Sequence, residues 1–315
     1  MIFSVYCLSN VTFGTFERSY KARAVALSVA TTIRSTLDFK SVKVTRLPKI
    51  NMKTTGDKFD PAITGFAFLH PNTLLAVDNN NSSLKSVDTT NNTVTSQLSF
   101  TSAPFGVALL PGDQAAMAIP EEKRIQVVST KDRCVCLRSI TVDGKCCGIS
   151  SKTQNMAVSF IEPMMIQVMD LAGNVLNTIS EHDKGTPVFS KPYYISVSIE
   201  DTGDMVHVSN WETNTITKVS MKGEVMSTYK HNDWDRLYGL ICVGQGQLSV
   251  CNCSGGTLDV VSEDGRNVMT LLDRLHGIHY PRTLYYCVSQ EIMYVSSDSP
   301  WRPISVFKFS QKKTK

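Results

Sequence analysis

One short plan, repeated along most of the chain, restricts the fold more than any other feature. Six segments each open with an apolar strand, make a short polar turn and return as a second strand. They begin at Ile63 ("ITGFAFLHPNTLLAVD"), Pro104 ("PFGVALLPGDQAAMAI"), Lys145 ("KCCGISSKTQNMAVSF"), Tyr193 ("YYISVSIEDTGDMVHVS"), Tyr238 ("YGLICVGQGQLSVCN") and Thr283 ("TLYYCVSQEIMYVSS"). The second strands align on Val77, Ile119, Val158, Val208, Val250 and Val295, at spacings of 42, 39, 50, 42 and 45 residues. A period of this length built from alternating strands is the signature of a β-propeller. A third strand follows in five units (Lys85–Asp88, Gln126–Ser129, Gln167–Asp170, Thr217–Ser220, Asp259–Ser262). A fourth comes after turns such as "LAGN", "MKGE" and "EDGR", where glycine supplies the positive φ of a tight hairpin.

The sixth unit stops after "ISVFKF" and lacks an outer strand, while an orphan strand, Ser41–Ile50, precedes the first unit. Pairing the two closes the ring and leaves no open edge there. The sequence therefore predicts an all-β, six-bladed propeller over residues 41–310, closed by an N-terminal strand. Residues 1–40 form an extension, helical or disordered. In it Val25, Val29, Ile33 and Leu37 share one helical face, as in an amphipathic helix or the stub of a coiled coil. Residues 311–315 form a basic tail.

With 42% apolar and 19% charged residues the chain has a globular balance, which excludes disorder and collagen. No run is long and apolar enough for a membrane helix, and "MIFSVYCL" lacks the basic leader and cleavage site of a signal peptide. The nine cysteines are odd in number and lie in apolar strands, so they read as buried thiols of a reducing, cytoplasmic compartment. The net charge of +4 is unevenly spread: basic ends flank a body, residues 54–301, that carries −8 and repels phosphate.

"LLAVDNNNSSLKSVD", "VHVSNWETNTITKVSMKGEV" and "LSVCNCSGGTLDVVSEDGRNV" resemble NHL repeats. The run from Ala62 to Asp88 is especially similar to the C-terminal propellers of tripartite-motif (TRIM) NHL proteins. That resemblance, over about residues 41–310, implies a six-bladed propeller serving as the recognition part of a ubiquitin-ligase system. Only Cys7 lies before residue 134, so there is no RING or B-box array, and ligase activity would need a partner or a longer chain.

The expected function is thus a non-catalytic protein–protein interaction module with an unidentified protein partner, no cofactor, no metal, no membrane contact and no small-molecule substrate. Second-to-third-strand loops and blade-to-blade loops emerge on one face. That face would hold Trp211, Trp234 and Trp301, joined by Glu121, Glu122, Arg124, Phe160 and Arg236. A single-stranded RNA-binding propeller is the alternative, disfavoured by the mixed charge of "PEEKR" and "NDWDR". A calcium-dependent propeller hydrolase would need oxygen ligands on the innermost strands, which read as apolar or thiol-bearing. His207, mid-strand, reads as a satisfied sheet histidine.

Overall fold

The structure, a computed structural model, describes residues 39–181, 185–200, 203–244, 246–299 and 302–311. It contains six four-stranded antiparallel sheets. Blade 1 is β2 (Ile63–Leu69), β3 (Thr73–Asp78), β4 (Ser83–Asp88) and β5 (Thr93–Ser99); blade 2 is β6 (Val107–Leu110), β7 (Gln114–Ile119), β8 (Arg124–Ser129) and β9 (Val135–Thr141). Blade 3 is β10 (Lys145–Lys152), β11 (Asn155–Glu162), β12 (Met164–Asp170) and β13 (Val175–Ile179); blade 4 is β14 (Pro192–Glu200), β15 (Gly203–Asn210), β16 (Thr215–Ser220) and β17 (Val225–Lys230). Blade 5 is β18 (Leu237–Gly244), β19 (Gln247–Asn252), β20 (Thr257–Val261) and β21 (Val268–Leu272); blade 6 is β22 (Pro281–Cys287), β23 (Ile292–Ser297) and β24 (Ile304–Gln311).

The missing strand of blade 6 is β1 (Val42–Ile50), which pairs antiparallel with β24, from Val42 opposite Gln311 to Ile50 opposite Ile304. The register breaks between Leu47 and Ile50, where Pro48 has no N–H to give to the ladder. The expected closure is therefore the observed one. The turns from third to fourth strand follow the sequence as well: Gly173, Gly223 and Gly265 have φ of 100°, 100° and 71°. Asp88 and Asp170 close their turns by accepting the backbone N–H groups of Thr90 and Ala172 at 2.8 and 2.9 Å. The helix expected within residues 1–40 lies outside the described residues. Phe39, the first of them, is buried edge-on against Tyr286 and Phe309.

The core is distributed as one apolar cluster at each of the six blade interfaces. Both faces of every blade but its outer strand are consequently covered, which explains why β3, β7, β11 and β19 are buried almost throughout whereas β5 alternates between exposed and half-buried.

One charge is enclosed in this apolar frame. Lys85 on β4 is fully buried and donates to Asp57 (2.6 Å), Asp78 (2.7 Å) and the Met52 carbonyl (2.8 Å). Asp78 also accepts the Ala62 N–H, and Asp57 that of Thr54. The ammonium thereby fastens the segment between β1 and β2 to blade 1. Lys85→Met would leave two carboxylates without their cation and should cost about 3–5 kcal/mol in chemical denaturation. Neutralising all three groups together (D57N, D78N, K85M) should recover most of that loss.

Candidate functional site

The six inner strands each have one edge with no neighbouring strand, and these edges enclose a central channel of ≈ 990 Å³. Backbone groups there must be satisfied by something other than a ladder, and hydroxyls do much of this. Thr64 donates to the Phe105 carbonyl (2.6 Å), Ser296 to that of Ile63 (2.9 Å) and Ser151 to that of Leu109. Ser150 accepts from the Val197 N–H (3.1 Å) and Ser196 from that of Cys242 (3.3 Å). Each bond crosses from one blade to the next, so these serines and threonines both solvate the edge and stitch the ring.

At the end where the inner strands finish, the polar groups exceed what the edge requires. Ser196, Ser198 and Glu200, spaced two apart on β14, fall on one side of the strand. Opposite Ser196 on β15 is His207, and opposite His207 on β16 is Lys218. Ser198 Oγ lies 3.0 Å from His207 Nε2 and donates to Glu200 Oε1 at 3.1 Å; Lys218 Nζ donates to Glu200 Oε2 at 2.7 Å. Ser196, Ser198 and Glu200 line the channel, together with Lys152 and Cys242 from the neighbouring blades.

The electrostatics divide the roles. The adjacent His207, followed by Lys218 and Ser198, holds the Glu200 carboxyl down to about 2 against its burial, so it is a carboxylate at neutral pH. Burial pushes His207 below its ordinary 6.5 and the Lys218 charge adds to this, with Glu200 acting the other way; the ring is neutral at pH 7. Its Nε2 is bonded to Ser198, and its Nδ1 is buried and bonds to no described residue, so the sheet histidine is satisfied at one of its two ring nitrogens. Burial raises the Cys242 thiol to about 11, which removes it as a thiolate nucleophile. Among the described residues no three His, Cys, Asp or Glu side chains cluster as a metal site would require.

The residues singled out from the sequence are placed as follows. Trp211, half-buried in the turn after β15, meets Tyr193 edge-on at 6.3 Å, with the Lys191 ammonium 5.3 Å from its ring. Trp234 is 4% exposed in the cluster between blades 4 and 5 and donates Nε1–H to Asp259 (3.2 Å). Phe160 is fully buried between blades 2 and 3. Neither ring is therefore available as a surface anchor. Glu122 pairs with Arg124 at 2.6 Å, Glu121 lies 3.4 Å from Lys145, and Arg236 is exposed. Trp301 lies outside the described residues. Inner strands that read as apolar or thiol-bearing conceal the channel cluster; its signal in the sequence is the period-two run Ser196, Ser198, Glu200 in "YISVSIE".

No protein-family profile matches the chain, and no curated protein is significantly similar to it. Solved structures are similar to it. Selenomethionine-substituted virginiamycin B lyase from Staphylococcus aureus superposes with a TM-score of 0.60 at 9% identity, covering 87% of this chain and 90% of that one. A catalytically inactive variant of that lyase with quinupristin gives 0.60 at 10% identity, with the same coverage. A streptogramin B lyase gives 0.60 at 10% identity, covering 89% of this chain and 90% of that one.

At such identity the likeness establishes the six-bladed propeller fold. It lends no support to the narrower tripartite-motif assignment. The expectation of a non-catalytic protein-interaction module, with RNA binding as its alternative, is corrected by the same comparison, since these similar propellers are lyases.

The His207 site has a consequence for stability. With its folded-state pKa below 6.5, the unfolded chain takes up the proton first as pH falls, so stability should decline from about pH 6.5 downward. Urea midpoints between pH 7 and pH 5 should fall in the wild type and fall less in His207→Gln. The contribution of Glu200 persists at these pH values and is lost only below its ordinary 4.5, on the way down to about 2.

Proposed function

We propose that the chain is an enzyme-type propeller that binds a small molecule in its central channel and acts on it through the Ser198–His207–Glu200–Lys218 cluster, in a lyase-type elimination. The supporting observation is that a neutral, buried imidazole lies 3.0 Å from the hydroxyl of a channel-lining serine, with an ionised carboxylate 3.7 Å away to stabilise an imidazolium. In the tautomer with the proton on Nδ1, the Ser198 hydroxyl turns from Glu200 Oε1 to donate to Nε2. A substrate proton then passes to Ser198 Oγ while the serine proton passes to Nε2, and the electron pair left on the substrate expels the leaving group. His207 acts through Ser198 and is a positioning and proton-accepting group behind the wall; Ser198 is the residue that touches substrate.

The cavity volume lies at the upper end of that of small-molecule pockets, about 300–1,000 Å³. Its wall combines apolar Ile149, Ile195, Val197 and Leu240 with hydroxyls, which suits a partly apolar, hydrogen-bonding compound. The similarity to the staphylococcal lyase supplies the first compound to try, quinupristin.

Purified protein should consume quinupristin, followed by chromatography. Ser198→Ala and His207→Asn should each lower the rate by about 10²-fold or more, with the melting curve showing a folded protein. Turnover that both variants retain in full would overturn the assignment of the cluster, as would binding that persists when Ser150→Trp obstructs the channel.

A further inference from the structure

One charge on the channel wall has no counterpart within the protein. Among the described residues the wall carries a single cation, Lys152, and two carboxylates, Glu200 and Glu263. Glu200 is committed to Lys218, Ser198 and His207, and Glu263 is exposed at the rim. Lys152 is half-buried and forms neither a hydrogen bond nor an ion pair with any described residue. Around it the wall is apolar or hydroxyl-bearing, with Ile149, Ile195, Val197 and Leu240 supplying most of the apolar surface. An ammonium partly withdrawn from water beside such a wall keeps donors that an incoming ligand can use.

The fold sets its position. Ser150 accepts the Val197 N–H at 3.1 Å, which seats β10 beside β14. Lys152 falls on the same side of β10 as Ser150 and ends that strand, just as Glu200 ends β14. The Cys242 thiol on the following blade feels both residues. Burial raises it to about 11; the Ser196 hydroxyl, the Lys152 charge and the Ser198 hydroxyl pull it back, and the Glu200 charge adds to the rise. Lys152 and Ser198 therefore act on one sulfur from two blades, at the same end of the channel.

We propose that Lys152 makes the channel selective for small molecules that bear a single carboxylate, held by its ammonium while an apolar body lies along Ile149, Ile195, Val197 and Leu240. A second negative charge on the ligand would meet Glu200 and Glu263, so a monoanion is preferred to a dianion such as a phosphate monoester. A carboxylate held at Lys152 leaves the remainder of the ligand in the channel beside Ser198. The inference names the ligand class of the channel and rests on the reading above that the channel is the binding site, but it requires no turnover.

The probes are naphthylacetate, its uncharged counterpart naphthylacetamide and the dianion naphthyl phosphate, titrated into the full chain by calorimetry. Naphthylacetate should bind saturably, and the amide and the phosphate each at least about tenfold more weakly. Raising the salt from about 0.05 to about 0.5 M should weaken carboxylate binding several-fold and leave amide binding unchanged. Lys152→Met removes a group with no bond inside the protein, so its melting temperature should match the parent's while the preference for carboxylate over amide disappears; Lys152→Arg should retain that preference. The proposal fails if the carboxylate does not bind saturably, if the amide or the phosphate binds as well as the carboxylate, or if Lys152→Met binds naphthylacetate as the parent does. Lys152-dependent carboxylate binding by a protein that leaves quinupristin intact would overturn the reaction and uphold this site. Ser198-dependent consumption of quinupristin by a protein with no preference for carboxylates would do the reverse.

Discussion

Everything in this molecule depends on the pairing of β1 with β24. A propeller blade cannot bury its faces alone, since each apolar cluster belongs half to one blade and half to the next. Six such interfaces exist only if the ring closes. The closure is a ladder, from Val42 opposite Gln311 to Ile50 opposite Ile304, whose inward side chains join the clusters on either side of blade 6: Val44 and Phe309 toward blade 5, Ile50, Val306 and Ile304 toward blade 1. After β1 the chain must cross to blade 1, and that crossing is held by the buried Lys85 with Asp57 and Asp78. The ladder brings the ends together, and the ion triad secures the chain where it leaves the ladder.

Closure also creates the channel. Each inner strand gives up one set of backbone partners by facing the axis, and a purely apolar sequence there would leave those groups unsatisfied. Thr64, Ser150, Ser151 and Ser196 answer this by bonding across to the next blade. Polar side chains on the inner strands thus have a structural reason to exist. The functional question concerns the ones left over. Ser198, Glu200, His207 and Lys218 bond among themselves rather than to a neighbouring edge, and so form an arrangement the fold does not demand.

How much of this the sequence disclosed follows from the range of each interaction. The spacing of Val77, Ile119, Val158, Val208, Val250 and Val295, the glycine turns and the orphan strand are local or periodic features, and the blade count and the closure follow from them directly. The direction of a side chain at a blade end is not local. Trp211 and Trp234 occupy equally polar-looking loops, yet Trp234 is buried because Asp259, on the third strand of the following blade, accepts its indole N–H, while Trp211 remains half-exposed beside Tyr193. Phe160 likewise reads in the sequence as a surface strand end, yet β10 covers it in the cluster between blades 2 and 3. His207 reads as self-sufficient in "MVHVS" because its neighbours Ser198 and Lys218 are brought beside it only by antiparallel pairing.

The two ends of the channel differ in a way that symmetry of the repeat does not explain. Where the inner strands start, large rings surround Arg282; where they finish, small hydroxyls and a carboxylate surround a neutral imidazole. Blades 1, 2 and 3 bring equivalent glycines, Gly65, Gly106 and Gly148, to the channel wall, each close against the backbone of the next blade. Blade 4 contributes to both ends, Tyr193, Tyr194 and Trp211 to one, Ser198, Glu200, His207 and Lys218 to the other. It is also the blade preceded by the longest spacing in the repeat, 50 residues from Val158 to Val208. In a ring whose blades hold one another, blade 4 departs from the common plan at both ends, which closure alone does not require.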